Sequence, residues 1–367
     1  MTERAGVALA GLEAAAYRIP TEGPEADGTL EWDATTLVLV RIRAGGACGL
    51  GYTYADAGAV TLIRGMLAAA IRQCDAFDIP ASWASMQRAV RNVGRSGLAA
   101  CAISAVDTAL WDLKARLLEV PLARLLGLRR GKVPIYGSGG FTNYSDEQLR
   151  NQALAWVRRD GCGHVKIKIG SDPGDDPRRA AVVRGVIGDT ELFVDANGAF
   201  SVRQAVGFAA RCRDAGITWF EEPVTSDDPT GLRDVRRHAP AGMDIAAGEY
   251  IYTLDDARTL LAADAVDVLQ LDVTRCGGIS GFLGVAALAK AHHRDLSAHC
   301  APALHRHVAC AVERLRHIEW FHDHVRIEQM LFEGAPTPRG GMIAPDLGTP
   351  GHGLEFKEQD AARWEVR

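Results

Sequence analysis

The chain has 367 residues, 47% hydrophobic and 24% charged, which is an ordinary globular composition with room for two domains or one large barrel and an extra module. A formal net charge of −5 argues against a general nucleic-acid binder, and no apolar run reaches membrane-spanning length. The eight cysteines stand singly, without a C-x-x-C pair, which fits reduced thiols in a cytoplasm better than a disulfide scaffold or a zinc ribbon.

The N-terminal stretch "MTERAGVALAGLEAAAYRIP" carries a short apolar patch broken by Glu13. Glu3 and Arg4 offset each other, so a cleavable signal peptide is not expected. "TTLVLVRIRAGGACGLGYTYA" alternates like antiparallel strands around a Gly-rich turn. "GLAACAISAVDTALWDLKARLLEVPLARLLGL" reads as a long apolar-rich helix followed by a shorter one. Residues 1–130 therefore read as an α+β capping domain, with "GLRRGKVP" as the linker.

From Val133 a rhythm sets in, with short apolar strands each followed by a helical stretch. The strands are "VPIYGSGG", "HVKIKIG", "LFVDANG", "ITWFEEP", "DIAAGEY", "VDVLQLDV", "DLSAHC" and "LRHIEWF". Among the helices, one starts on a Ser201 cap and stops near Gly216, and another groups Ala257, Leu260 and Leu261 on one face. Eight such units at roughly 25 residues each favour a parallel (β/α) barrel over 131–345, with 346–367 returning to the cap. The rival, a doubly wound open sheet, should show the dinucleotide glycine spacing, and "YGSGGF" does not match it.

In "HVKIKIGSD", Val165, Ile167 and Ile169 alternate with Lys166 and Lys168, so both lysines share one face. Alone, the pair would suit an edge strand. In a barrel, however, strand C-termini converge on one mouth, and the others are polar too: Asp195 with Asn197, Glu221–Glu222, Glu249, Asp272, His299 and Glu319. Charges gathered at one place need partners. Asp195, Glu221 and Glu249, three carboxylates from neighbouring strands, make a hard-oxygen set that selects Mg²⁺ over zinc. Two adjacent lysines disfavour each other's protonation, so one can serve as a base near neutral pH. Glu222 is expected to turn aside into a structural hydrogen bond. Arg275 is left between a partner of Asp272 and a surface turn. His292–His293, His305-x-His307 and His322-x-His324 are read as surface or supporting groups, because a metallohydrolase barrel carries its H-x-H on the first strand.

The ordered motifs "KIK", "VDAN", "FEEP", "GEY", "LDV" with "RCGG", and "SAH" resemble the mandelate racemase-like branch of the enolase superfamily, over nearly the whole chain. The resemblance implies a modified TIM barrel, (β/α)7β, under an N-terminal α+β cap. It also implies one Mg²⁺ per subunit on Asp195, Glu221 and Glu249, a carboxylate substrate, and a homo-oligomer with no nucleic-acid or membrane partner. By similarity Lys168 is the base on one face of the substrate carbon. Lys166 neutralises the substrate carboxylate and lowers the pKa of Lys168. His299, oriented by Asp272, serves the opposite face, and Glu319, protonated in the complex, donates to the substrate carboxylate. A muconate-type site would carry lysine where Asp272 stands. The implied chemistry is proton abstraction alpha to a carboxylate through an enediolate, giving dehydration of an acid sugar, racemisation or epimerisation, or cycloisomerisation of a lactone. A non-catalytic binding barrel would have lost a base or a metal ligand, and none is missing. Asn197 is expected beside the metal shell. Arg18, Tyr52 and Tyr54, on cap loops, are expected to read the distal end of the substrate.

Overall fold

The computed structural model describes residues 6–366; residues 1–5, with Glu3 and Arg4, and residue 367 lie outside the described residues. The cap opens with an antiparallel sheet of β1 (Gly11–Ala26), β2 (Glu31–Ala44) and β3 (Ala47–Tyr54). Gly45 and Gly46 turn β2 into β3 with φ of 54° and 79°, which a side chain would resist. "YRIPTEGPEADGTLEWD", expected as a loop, is instead the β1–β2 hairpin, irregular between Pro20 and Glu25. Its turn is held by Asp27, whose Oδ1 accepts from the amides of Thr29 (2.6 Å) and Leu30 (2.8 Å). Likewise "GLGYTYADAG" lies mostly in β3.

The long helix Leu98–Leu117 is buried along most of its length because it packs on the sheet and on the barrel at once. Small residues on β3 permit the approach: a Cβ on Gly51 would sit 2.2 Å from the Ala105 carbonyl oxygen. On its barrel side, Ser104 Oγ accepts from the amides of Gly277 (2.9 Å) and Gly278 (3.0 Å), while Asp107 accepts from Ser280 Oγ at 2.6 Å. The "RCGG" turn is thus the point where the cap grips the barrel.

The barrel strands are β4 (Val133–Gly139), β5 (His164–Lys168), β6 (Glu191–Asp195), β7 (Ile217–Glu221), β8 (Asp244–Ala247), β9 (Val268–Leu271), β10 (Asp295–Ala298) and β11 (Leu315–Phe321). They pair in parallel in chain order, and β11 closes onto β4. The pleat decides which side chains enter. Val165 and Ile167 face the helices and the main core, while Tyr136, Phe193, Trp219, Ala246 and Val268 form a separate buried cluster. Phe193 and Trp219 stack there at 5.2 Å. Two residues further along, the same inward face is polar on β4, β6, β7 and β9, at Ser138, Asp195, Glu221 and Gln270; after β8 that position is Gly248, at a φ of 136°, and Glu249 follows it. Ser201 caps Val202–Arg211 as expected, in a capping box with Gln204, and Thr253 caps Leu254–Ala262 with Asp256. The eighth unit, like the sixth, meets the cap. Its helix, His322–Leu331, engages the cap, with Tyr52 Oη donating to Glu328 at 2.6 Å and Thr35 to Asp323. Beyond it, Phe332–Glu333 pairs with Glu355–Phe356, Phe356 lies 5.0 Å from Tyr17, and the Val366 amide donates to Ala16 at 2.8 Å.

Candidate active site

The strand ends converge as expected, although Glu249 stands three residues after inward Ala246, out of phase with the alternation, and enters past Gly248 at a φ of 136°. Asp195, Glu221 and Glu249 are buried, and one oxygen of each lies within 4.8 Å of the others. Lys168 Nζ donates to Asp195 Oδ2 at 2.6 Å. Lys166 Nζ is fully buried and bridges Glu221 Oε1 (2.6 Å), Glu319 Oε1 (2.8 Å) and Asp195 Oδ2 (3.4 Å). Opposite, His299 Nδ1 meets Asp272 Oδ2 at 2.8 Å, and its Nε2 lies 3.1 Å from Glu249 Oε2. Asp272 is fixed in turn, its Oδ1 accepting from the Thr274 amide at 2.7 Å and Oγ1 at 2.8 Å. Lysines on β5 and a histidine after β10 therefore flank the carboxylates from two sides of the mouth.

The charges explain one another. Burial works against the Lys166 ammonium, but Glu221 and Glu319 outweigh it and hold its pKa well above the ordinary value. Lys168 is also raised: burial opposes its charge, Asp195 overcomes burial, and Lys166 only subtracts from the result. The expected lowering of Lys168 by Lys166 is thus present as a component, and the bare Asp195 carboxylate defeats it. Burial likewise works to protonate Asp195, yet Lys168 and Lys166 lower its pKa. Glu221 is pushed up to about 8, by burial and then by Asp195. Glu319 is held ionised against burial by Lys166 and His299, so the protonated form expected beside a bound carboxylate is not the form this fold favours by itself. His299 is raised well above the usual imidazole value: burial opposes, and Cys300, Glu249, Glu319 and Asp272 prevail.

A cavity of about 420 Å³ opens between this cluster and the cap. Lys168, Asn197, Glu249, Arg275, His299 and Glu319 line its floor. The Asn197 amide donates to Asp195 Oδ1 at 2.9 Å, and its side-chain oxygen is buried without a partner. Arg275 proves to be a partner of the site, 3.5 Å from Glu249 and 3.6 Å from Asp272. Glu222 does not make the structural bond expected of it; its Oε1 is buried and unpartnered, and burial followed by Glu249 and Asp195 pushes its pKa well up. The cap residues divide. Tyr54 lines the cavity, stacked on His324 at 3.5 Å, with its hydroxyl unpartnered. Tyr52 lies one pleat deeper and gives its hydroxyl to Glu328. Arg18 is on the surface, paired with Asp33 at 2.8 Å, and does not line the cavity. Of the other histidines, His292 and His293 are exposed, His305 accepts from the Val273 amide at 2.9 Å, and His324 belongs to the cavity wall, not the surface.

Two family models match the chain: the mandelate racemase/muconate lactonizing enzyme N-terminal domain over residues 24–127, and the enolase C-terminal domain-like region over 148–361. The chain belongs to the mandelate racemase/muconate lactonizing enzyme family. Among relatives of this family member, a 3,6-anhydro-alpha-L-galactonate cycloisomerase of Streptomyces coelicolor is 33% identical, over 95% of this chain and 97% of its own. An L-talarate/galactarate dehydratase of Salmonella typhimurium is 35% identical, over 79% of this chain and 71% of its own. A solved mandelate racemase/muconate lactonizing enzyme-like protein of Rubrobacter xylanophilus superposes with a TM-score of 0.94 at 49% identity, covering 97% of this chain and 99% of that one. A Streptomyces coelicolor racemase solved with bound magnesium has a TM-score of 0.92 at 31% identity, covering 98% of this chain and 100% of that one.

Several residues of this family member's site escape sequence reasoning. Glu221 Oε2 accepts from Trp219 Nε1 and Gln270 Nε2, each at 3.0 Å, and Ser138 Oγ donates to Glu319 at 2.6 Å. Gln270 carried a signal, being a polar residue in an apolar strand two places before Asp272 and hence on the same face. Cys300, Tyr250, Trp32 and Asp27 also line the cavity, and nothing local marked them.

Proposed function

We propose that this enzyme removes the proton alpha to the carboxylate of a sugar acid and dehydrates it to a 2-keto-3-deoxy acid. The carrying observation is the buried triad of carboxylates flanked by Lys168 and by the Asp272–His299 pair. Asp195, Glu221 and Glu249 would hold one Mg²⁺; an all-oxygen donor set suits that ion. When bound, the cation supplies positive charge that stabilises the doubly negative enediolate. Positive charge there would also offset Asp195, which in the bare site keeps Lys168 protonated.

Lys166 would face the substrate carboxylate and Glu319 would bind it, while Lys168 or His299 takes the alpha proton. His299, held by Asp272, would give a proton to the beta hydroxyl as its C–O bond breaks, releasing water. The enol then tautomerises, so the reaction is balanced as sugar acid to keto acid plus water. Asn197 would support the floor and Tyr54 would touch the distal carbons, whereas Tyr52 and Arg18 would act only through the cap. Residues 1–130 would act as the cap, 131–345 as the barrel and 346–367 as a returning tail on the cap.

The outer wall favours a monocarboxylate. Asp27 and Asp56 stand there, Arg275 is engaged by Glu249 and Asp272, and His324 is pushed down to about 3 by burial and then by His299. Among the described residues that line the cavity, no cation is left for a second carboxylate. A polyol end, by contrast, finds Thr35, Thr36 and Tyr54. The test is an NMR screen of hexonates and pentonates beside matched diacids and lactones. Keto-acid product from a monoacid supports the reading. Product from lactones alone would move it to cycloisomerisation, and faster turnover of diacids would refute the substrate class.

A further inference from the structure

Beside the carboxylate triad a second donor set meets at the mouth. His299 Nε2, Cys300 Sγ and Glu319 Oε2 lie mutually within 4.8 Å. Their separations are 3.3 Å for His299–Cys300, 3.3 Å for Cys300–Glu319 and 3.7 Å for His299–Glu319. A tetrahedral ion with sulfur at ~2.3 Å and nitrogen or oxygen at ~2.0–2.2 Å spaces its ligands by roughly 3.3–3.6 Å. The free side chains thus already stand at close to the edges of a zinc coordination polyhedron.

Two of the donors are aimed by bonds made elsewhere. Asp272 takes Nδ1 of His299, the carboxylate–histidine arrangement found behind zinc, and leaves Nε2 facing the other two donors; Nε2 also lies 3.1 Å from Glu249 Oε2, so a cation binding there must displace the Nε2 proton and that contact. Ser138 and Lys166 hold Oε1 of Glu319, and Oε2 turns to Cys300, accepting from its amide at 3.0 Å with a further lone pair toward the sulfur. Cys300 itself sits at a φ of 53°, an unusual conformation for a non-glycine residue. All three side chains are buried, at 6%, 3% and 1% exposure, yet all three line the cavity and can be reached from it. The sulfur donor sets this group apart from the oxygen triad: Mg²⁺ has little affinity for thiolate, whereas zinc and cadmium prefer it.

We infer that His299, Cys300 and Glu319 form a site for a thiophilic divalent cation of the zinc class, separate from the magnesium triad, and that its occupancy arrests the enzyme by engaging the His299 imidazole. The metal site stands on geometry alone. The arrest rests on the proposed role of His299.

The experiment uses the full-length, Mg²⁺-loaded enzyme. Titration with Co²⁺ should raise a near-ultraviolet thiolate-to-cobalt charge-transfer band, which Cys300→Ser lacks and Zn²⁺ displaces. X-ray absorption at the zinc edge of the wild-type protein, which needs no variant, should show one sulfur neighbour at ~2.3 Å. In excess Mg²⁺, Zn²⁺ should inhibit wild type at concentrations at least ~10-fold below those needed for Cys300→Ser. Oxygen-only coordination would mean that zinc merely replaces Mg²⁺ on the triad, and would overturn the site. A band that persists in Cys300→Ser would assign the ion to another thiol, such as half-buried Cys48 or Cys74, and would overturn it as well. A Cys300-dependent band without inhibition would uphold the metal site and refute His299 as the catalytic imidazole.

Discussion

Asp272→Asn tests the imidazole side of the site most directly. The carboxylate makes two kinds of bond: Oδ1 accepts from Thr274 N and Oγ1, and Oδ2 faces His299 Nδ1. The Thr274 amide can only donate, so the carbonyl oxygen of an asparagine must stay on that side. Its NH₂ group then faces His299, and Nδ1 has to become an acceptor. The proton moves to Nε2, the atom that should exchange protons with substrate. Losing one buried hydrogen bond to a charged group costs about 1.5–3 kcal/mol, or roughly 10- to 150-fold. Inverting the tautomer as well raises the loss toward ~10⁴-fold, the effect of the same exchange in a serine protease triad. The fold should survive, because the Thr274 bonds remain. The assay follows alpha-proton exchange in D₂O and keto-acid formation side by side, by NMR. If His299 acts only as the acid, exchange through Lys168 persists while product formation falls; if His299 is the base, both fall. Both rates within about threefold of wild type, under about 0.7 kcal/mol, would refute the reasoning.

Three other outcomes are expected. Tyr52→Phe leaves the buried Glu328 carboxyl short of a donor and should cost about 1–3 kcal/mol of stability without reordering substrates, whereas Tyr54→Phe should leave stability nearly unchanged and shift the kcat/KM ranking across a sugar-acid panel; the reverse pattern would reassign the two tyrosines. Exhaustive chelation should abolish turnover and Mg²⁺ should restore it, with the near-ultraviolet circular dichroism unchanged, and activity that survives chelation would sink the magnesium role. Glu328 is pushed up to about 8, chiefly by burial. Because its folded pKa lies above its unfolded one, its contribution to stability is full below about pH 4 and is lost as pH rises through about 8. Glu328→Gln should therefore flatten the decline of Tm between about pH 4 and pH 8, and parallel curves for the two proteins would contradict that.

The sequence by itself determined which side chains enter the barrel. Strand period, one polarity for every strand and one mouth are enough to bring Lys166, Lys168, Asp195, Glu221, Asp272, His299 and Glu319 together, because each placement depends only on residues two or four positions away; Glu249, three after inward Ala246, enters only through the backbone turn at Gly248. Tertiary structure decided what each of them meets. Lys166 reaches Glu319 across the seam where β11 closes on β4, a contact that no local pattern encodes. Tyr52 and Tyr54 share a face of β3 and were indistinguishable until the helix His322–Leu331 brought Glu328 to one and His324 to the other. Arg18 looked like a roof residue and lies on the surface, paired with Asp33. Alternation gives the face of a residue, and only the closed barrel with its cap gives the group on the far side. The electric field that sets the charge of Lys168 or Glu319 is a sum over those far-side groups, so the pKa of each was a property of the fold and not of its motif.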